Sequence, residues 1–260
     1  MTTLAEKYHT APIKIAKAFP LASELGVIVM DVSPGLLEGD RYDFSWHAEA
    51  GSSAFITNQS YTKIHPCLPE GGASMRQTFE LGEGAVIEHM PEPIMLYKDA
   101  RFSGETIVRL SPGAVWMQAE VLCPGRTLRG EQFQYRELRS SLSVYYEDEL
   151  IFAQRQLIDP VRQRLAVPGC WEEMTHTATF YLFSDRNFAV LLDAVKERLE
   201  SLPSFGPHRV AAGASATFRH GIAVVAASTA AWPLQQAMRL VWDVSRQVAL
   251  GRQPSAFLRS

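Results

Sequence analysis

Three short segments of the chain are similar to one another, and each places a glycine between two strand-like runs. The glycines shared by the copies, Gly51, Gly84 and Gly113, are 33 and 29 residues apart. Repeats of about this length are typical of stacked units, each of which buries its face against the next. The repeat therefore predicts a β-rich architecture, and both a solenoid-like stack and an ordinary meander of similar hairpins fit it. The copies are AEAGSSAFIT at 48–57, LGEGAVIEHM at 81–90 and LSPGAVWMQA at 110–119.

The hydrophobic pattern of the first two thirds of the chain favours strands. Residues 25–32 are nearly all apolar, as in a strand that is buried on both faces. Residues 41–49 alternate, so that Tyr42, Phe44 and Trp46 point to one side and the polar residues between them to the other. The same pattern predicts strands at 75–79, at 107–110 and within 208–229.

Two segments in the last third carry helical periodicity. The segment at 186–202 follows Ser184 and Asp185, either of which can serve as its N-cap. The segment at 233–250 begins with proline, a residue favoured at the first helical position, and stops at Gly251. The apolar stripes are Phe188, Leu191, Leu192, Val195 and Leu199 in the first segment, and Leu234, Ala237, Met238, Val241, Trp242, Ser245, Val248 and Ala249 in the second.

These patterns together define the predicted fold class. It is mainly β, solenoid-like or built of stacked hairpins, with two flanking amphipathic helices, and α+β by content. Because no linker or low-complexity segment separates the parts, we expect one domain over residues 1–260.

Charge and composition argue against several classes of partner. The formal net charge of −3 and the pI near 6.2 lack the excess of basic residues that marks nucleic-acid binding. No apolar run approaches the ~18 residues of a membrane span, and the first ten residues lack the apolar core of a signal peptide. Three scattered cysteines do not make a disulfide framework. We therefore expect a cytoplasmic protein with neither a nucleic-acid nor a membrane partner.

Signatures of common enzyme classes are missing from the sequence. It contains no G-x-S-x-G nucleophile turn, no G-x-x-x-x-G-K-[S/T] phosphate loop and no G-x-G-x-x-G dinucleotide fingerprint. The turn-rich segment SPGLLEGD at 33–40 has spaced glycines but no lysine, and it ends in an acid that would repel a phosphate.

Candidate metal ligands are present but scattered. His65 and Cys67 flank a proline, yet two such ligands do not complete a closed zinc site, which needs about four. A loop histidine beside a small buried cysteine is the alternative interpretation. Glu88 and His89 are adjacent on a predicted strand and so point to opposite faces, which leaves at most one of them for any given site.

Two carboxylates occupy unusual positions. Asp40 closes the 33–40 segment, where it either finishes a turn or faces a site. Glu120 interrupts the apolar run at 115–122, and a carboxylate there is costly unless it is paired, hydrogen-bonded or in contact with internal water. Pairing with Arg126 or Arg129 and exposure to a polar internal channel both remain open.

Four segments, in order and spacing, resemble the family of urease accessory proteins called UreD or UreH. The family often has Gly-Gly-Asp where this chain has Glu38-Gly39-Asp40, and aspartate where Glu120 stands, so the carboxylates are kept. The C-terminal QPSAFLRS differs from the family's usual tail, and no role is carried over to it. The matching segments are SPGLLEGDRY at 33–42, TNQSYTKIHP at 57–66, EHMPEPIMLYKDARF at 88–102 and AEVLCPGRTLRGEQF at 119–133.

The resemblance implies a nickel-insertion chaperone rather than an enzyme. It implies no tightly bound cofactor, with nickel in transit through an internal tunnel. The implied partners are UreF, the GTPase UreG and apo-urease (UreABC), and a dimer of the accessory complex is compatible with them. A transit path needs weak sites that an ion can leave, and scattered carboxylates suit this better than a cage of histidines and cysteines. The candidate residues of this path are Asp40, His65, Cys67, Glu88 and Glu120.

Two other functions fit the residues when the resemblance is set aside. A solenoid-like β protein can be a carbohydrate-active enzyme that uses a pair of acids, and Asp40 and Glu120 are the candidate pair. A purely structural scaffold is the second alternative.

Overall fold

The computed structural model describes residues 1–22, 24–165, 167–168, 170–186 and 189–254. Strands dominate, which confirms the predicted fold class. The strands are β1 Ile13–Pro20, β2 Leu25–Asp31, β3 Arg41–Ala48, β4 Ser53–Asn58, β5 Thr62–Ile64, β6 Ala73–Leu81, β7 Val86–His89, β8 Ile94–Leu96, β9 Arg101–Leu110, β10 Val115–Cys123, β11 Glu137–Tyr146, β12 Glu149–Ile158, β13 His176–Phe183, β14 Val210–Ala216 and β15 Gly221–Ser228. The α-helices are α1 Ala189–Glu200 and α2 Ala231–Leu250, and Thr127–Arg129 forms a short 3-10 turn.

The strands form two sheets. Sheet A has the order β1-β2-β4-β7-β10-β13-β15-β14, with β5 and β8 continuing beside β10, and sheet B has the order β12-β11-β9-β6-β3. In sheet A, β4, β7 and β10 pair in parallel, and in sheet B the parallel run is β3, β6, β9 and β11. The chain therefore passes repeatedly from a strand of sheet B to one of sheet A. This parallel stacking is solenoid-like, and the meander interpretation is wrong because its hairpins would pair antiparallel.

The three repeat glycines form the turns between the sheets. Their φ angles are 67° at Gly51, 65° at Gly84 and 70° at Gly113, in the left-handed region that a residue with a Cβ enters only with strain. The turns stack: the Gly51 amide donates to the Glu83 carbonyl at 2.8 Å, and the Gly84 amide to the Pro112 carbonyl at 2.9 Å. The repeat seen in the sequence is thus a column of turns along one side of the molecule.

Asp185 ends this column. Its carboxylate accepts the Gly113 amide (N–Oδ2 3.0 Å) and the Tyr146 hydroxyl (2.8 Å). The carboxylate is therefore used by the last turn, although the sequence offered it as a helix cap. Helix α1 begins at Ala189, later than predicted, and Phe188 lies outside the described residues.

Helix α2 packs on the face of sheet A that is turned away from sheet B. It begins at Ala231, two residues before the predicted start at Pro233. It ends as predicted at Gly251, which has φ 63° and donates its amide to the last turn. Strand β10 contributes to both layers, with Val115 and Met117 in the core under the helices and Trp116 in the core between the sheets.

The outer strands behave as the alternation predicts. In β3, Tyr42 is buried, Phe44 and Trp46 are half-buried, and the intervening polar side chains are exposed. Within the described residues, neither α-helix combines the length and apolar character that a membrane crossing requires.

Candidate functional site

Sheet A has a gap, at which two neighbouring strands are each interrupted while the next strand, β10, is continuous. Strand β7 ends at His89 and β8 resumes at Ile94, while β10 runs without a break. Accordingly, β10 pairs with β7 as far as Gln118 and with β8 only from Leu122. The sequence explains the break, because the intervening Met-Pro-Glu-Pro contains two prolines that cannot donate to a strand ladder. A parallel break separates β4 from β5.

Side chains satisfy the backbone at this gap. Asn58 accepts the Glu92 amide at 2.6 Å, and the Thr57 hydroxyl donates to the Met90 carbonyl at 2.7 Å. On the helix side, Gln235 of α2 accepts from the Tyr61 hydroxyl and donates to the Glu92 carboxylate, both at 3.2 Å. The gap is therefore a polar opening in an otherwise apolar sheet.

A cavity of about 80 Å³ lies between the two sheets at this gap. A second cavity, of about 30 Å³, lies beyond it between β10 and sheet B. Four residues line both cavities: Met75, Gln77, Ile94 and Glu120. Glu120 therefore stands where the two internal spaces meet, on the stretch of β10 that faces the gap.

Glu120 has no hydrogen-bond or ion-pair partner among the described residues. Arg126, one predicted partner, instead forms an ion pair with Glu131 (Nε–Oε2 2.7 Å), and Arg129 is exposed on the 3-10 turn. Burial raises the pKa of the Glu120 carboxyl. Of the two interpretations left open by the sequence, the geometry favours contact with an internal polar space.

Carboxyl groups outnumber cations on the wall of the larger cavity. Asp31, Glu92 and Glu120 face Lys63 across this space. The Asp31 carboxylate is oriented by the Ser33 amide at 2.9 Å and by the Tyr42 hydroxyl at 3.2 Å. Burial raises the pKa of Glu92, while its hydrogen bond from Gln235 acts in the opposite direction. Such a lining attracts cations in preference to anions.

Glu88 and His89 point to opposite sides of sheet A, as adjacent strand residues must. His89 lines the cavity, and its Nδ1 lies 3.0 Å from Oε1 of Gln118. Glu88 lies on the other face, where it accepts the Trp242 indole N–H at 2.6 Å and the Arg246 guanidinium at 2.7 Å. The structure thus brings His89 to the cavity and does not bring Glu88 there.

Glu88 belongs to a buried ion-pair cluster under α2. Arg246 also contacts Glu24 at 3.0 Å, and Arg252 approaches Glu88 at 3.4 Å and Glu24 at 3.8 Å. Burial raises the pKa of the Glu88 carboxyl, and Arg246 and Trp242 oppose that rise. The cluster ties the start of β2 and the end of β7 to the C-terminal helix.

The other three candidates, Asp40, His65 and Cys67, lie in loops and line neither cavity. Asp40 accepts the Leu37 amide at 2.7 Å and so closes its turn. His65 donates from Nε2 to the Pro34 carbonyl at 3.1 Å, and buried Cys67 donates to the Gly71 and Asp99 carbonyls at 3.3 and 3.4 Å. Within the described ranges, no three His, Cys, Asp or Glu side chains are grouped to hold a metal ion.

The paired acids of a carbohydrate-active enzyme are not formed by Asp40 and Glu120. Glu120 lies between the sheets, whereas the carboxylate of Asp40 caps a turn outside both cavities. A glycosidase needs both carboxyl groups on either side of one bond in one cleft. No described feature therefore favours that alternative.

Comparison with known proteins adds an independent line of evidence. A family model described as "UreD urease accessory protein" matches residues 1–259. The urease accessory protein UreD of Acetivibrio thermocellus is 31% identical over 245 residues, covering 94% of this chain and 91% of that protein. UreD of Haloarcula marismortui is 31% identical over 250 residues, with 94% and 81% covered, and UreH of Helicobacter hepaticus is 30% identical over 182 residues, with 70% and 72% covered.

Proposed function

The chain belongs to the UreD family of urease accessory proteins, and from this premise we propose that it is a chaperone scaffold that passes nickel to apo-urease through its interior. A role in urease maturation follows from the family itself. The finer proposal is that the protein does no chemistry of its own, acts in the cytoplasm in a complex with UreF and the GTPase UreG, and conducts nickel between its two sheets.

The placement of Glu120 carries this proposal. Within β10, Glu120 is the one residue that is not fully buried, and its carboxyl, whose pKa desolvation raises, has no partner among the described residues. Its position at the junction of two cavities, opposite a polar gap in sheet A, suits a group that contacts a passing hydrated cation.

The arrangement of ligands also fits transit rather than storage. An ion in transit must bind well enough to enter a site and weakly enough to leave it. The carboxyl groups of Asp31, Glu92 and Glu120 line one space, and no tight cage is grouped among the described residues. Asp40, His65 and Cys67 are hydrogen-bonded within loops and line neither cavity, and we place them outside the main path.

The partners follow from the same premise. The sequence has no phosphate-binding loop, so nucleotide hydrolysis in the proposed complex would come from UreG. UreF would join this chain to UreG, and apo-urease would receive the metal. A dimer of this accessory complex is compatible with the proposal.

The test is to replace Glu120→Gln and to co-express the variant with its partners and urease. Loss of the charge should lower the nickel content and activity of urease several-fold, because one transient ligand is lost without opening a cavity. Pull-down should still recover the complete accessory complex. Glu80→Gln is the matched control, since Glu80 lies on the outer face of sheet B beside His47.

Each other outcome has a clear meaning. Full nickel loading with an intact complex would remove Glu120 from the path and support a purely structural scaffold. Loss of the complex itself would show that Glu120 is needed for assembly, which would contradict the transit role.

A further inference from the structure

His89 is a buried imidazole on the wall of the larger cavity, and the carboxylate path proposed above does not use it. Only 5% of the residue is exposed, and its ring packs against Phe79 with 5.1 Å between centroids. Its Nδ1 contacts Gln118, while its Nε2 has no hydrogen-bond partner among the described residues. This nitrogen is not enclosed by protein atoms, so it is accessible from the cavity and available to a ligand there.

The contact with Gln118 determines the tautomer of the neutral His89 imidazole. Because the nearby atom of Gln118 is the amide oxygen, Nδ1 carries the hydrogen and donates it. The lone pair then resides on Nε2, the nitrogen that has no protein partner. Metal-binding histidines are oriented in this way, with one nitrogen held by a neighbouring acceptor and the other directed at the metal.

The strand register places this nitrogen beside the proposed path. His89 of β7 pairs with Gln118 of β10, and Glu120 is the next residue of β10 on the same face. Two residues of a strand span about 7 Å, so the imidazole and the carboxylate occupy consecutive positions along one wall. The polar side chains of Thr57 and Gln77 line the same cavity.

We infer that Nε2 of His89 is a nitrogen ligand for the metal ion in this cavity, and that it makes the path selective for a transition metal such as Ni²⁺ over Mg²⁺ or Ca²⁺. Imidazole suits nickel and its neighbours, whereas carboxylate and water suit the hard cations. Carboxylates alone would admit both classes of ion, and Mg²⁺ would compete. A single nitrogen ligand favours transition metals over Mg²⁺ and Ca²⁺, yet it does not complete a closed site that would hold the ion too tightly to leave. This inference rests on the proposed function, because a selective ligand is useful only if nickel passes through this cavity.

The experiment is NMR of the full chain with ¹⁵N-labelled histidine. The His89 ring signals are assigned from their contacts to Phe79, so the assignment does not need a variant. Paramagnetic Ni²⁺ should broaden the His89 signals at substoichiometric amounts, and Mg²⁺ at excess should leave them unchanged. His89 signals that persist when Ni²⁺ is bound to the chain would overturn the inference.

Binding measurements on variants give the second readout. His89→Gln should weaken Ni²⁺ binding about 10-fold or more, because loss of a ligand costs at least as much as loss of a partner that only orients one, and it should leave Mg²⁺ binding unchanged. Glu120→Gln should weaken the binding of both ions, and His65→Gln, a histidine outside the cavity, should affect neither. Equal weakening of Ni²⁺ and Mg²⁺ by His89→Gln would also overturn the inference. The two proposals can also fail separately. If Ni²⁺ binds selectively at His89 but the Glu120→Gln variant still loads urease fully, the metal site stands and only the proposed transit role is contradicted.

Discussion

At the scale of single residues, Arg246 is the side chain whose loss we expect to cost most. It is 2% exposed and holds both Glu88 and Glu24 through charged contacts. Arg246→Met should therefore leave two buried carboxylates without their main cation and lower the free energy of unfolding by about 3–5 kcal/mol. Urea denaturation measures this change.

Arg252→Met is the control for that substitution. Arg252 reaches the same carboxylates at 3.4 and 3.8 Å and is partly exposed, so its loss should cost about 1 kcal/mol or less. Equal decreases in the free energy of unfolding in the two variants would show that Arg246 stabilises the cluster no more than Arg252 does.

His176 should make the stability of the protein depend on pH. Burial and the nearby His208 lower its pKa from 6.5 to about 4 in the folded state. Between these two values the unfolded chain binds a proton that the folded chain does not, so the free energy of unfolding falls as the pH falls. The contribution is complete above pH 6.5, and about 3 kcal/mol is lost by pH 4.

His176→Asn tests this prediction by denaturation at pH 7.5 and pH 4.5. The variant should lose less stability than the parent chain between these values. His47→Asn, at an exposed position on sheet B, should retain the parent's full pH dependence. A parent-like loss in His176→Asn would rule out His176 as the source.

Of two residues that line the cavity, Glu120 was predicted from the sequence as a candidate and His89 was not. Glu120 was recognisable because it interrupts an apolar run, and the structure leaves it without a partner among the described residues. His89 could not be chosen over Glu88 from the sequence, because strand alternation separates the two faces but does not say which of them borders a cavity. That information comes from the position of α2, far along the chain.

At the scale of elements, the stacked turns should tolerate no side chain at their left-handed positions. Gly113 has φ 70° and lies against Gly84, so Gly113→Ala should lower the free energy of unfolding by about 1–2 kcal/mol. Gly213→Ala is the matched control, since the Gly213 φ is not positive and a Cβ there meets no atom within 4 Å. Thermal denaturation of both variants measures the difference, and equal stability would contradict the strain.

The elements also show what local sequence can and cannot predict. The glycine turns and the end of α2 at Gly251 were predictable, because φ above zero and helix termination leave local signatures. Parallel stacking was not, since a hairpin and a solenoid rung share the same strand, turn and strand pattern. The role of Asp185 in the last turn was not predictable either, because its carboxylate accepts the Gly113 amide, a contact between residues 72 positions apart.

At the scale of the whole molecule, the smaller cavity should be needed for nickel to reach urease. Ser140 of β11 lines this cavity, and its neighbour Ser141 lies on the opposite face of the strand. Ser140→Phe should fill the space of about 30 Å³ and lower urease nickel content several-fold, with the accessory complex still assembled. Ser141→Phe should leave nickel loading unchanged.

The stability of both phenylalanine variants is measured by denaturation, so that a loss of nickel loading is not confused with a failure to fold. Overpacking at Ser140 should cost about 1–3 kcal/mol, which a folded chain can tolerate. Normal urease loading by a folded Ser140→Phe protein would show that nickel does not travel through the smaller cavity.

The parallel stacking of the strands has a consequence for how such a molecule can change in size. The larger cavity is bordered by β3 and β6 of sheet B, and the smaller by β6, β9 and β11, so the interior space runs across the strands. Neighbouring strands are spaced about 4.8 Å apart, and successive rungs of the solenoid take 33 and 29 residues of chain, as measured between the repeat glycines. Insertion or deletion of one repeat would therefore lengthen or shorten the interior route by a fixed increment and leave its width unchanged. Under the proposed function, the length of the route would therefore change by a whole number of repeats, and duplication of one segment of the gene would alter it in a single step.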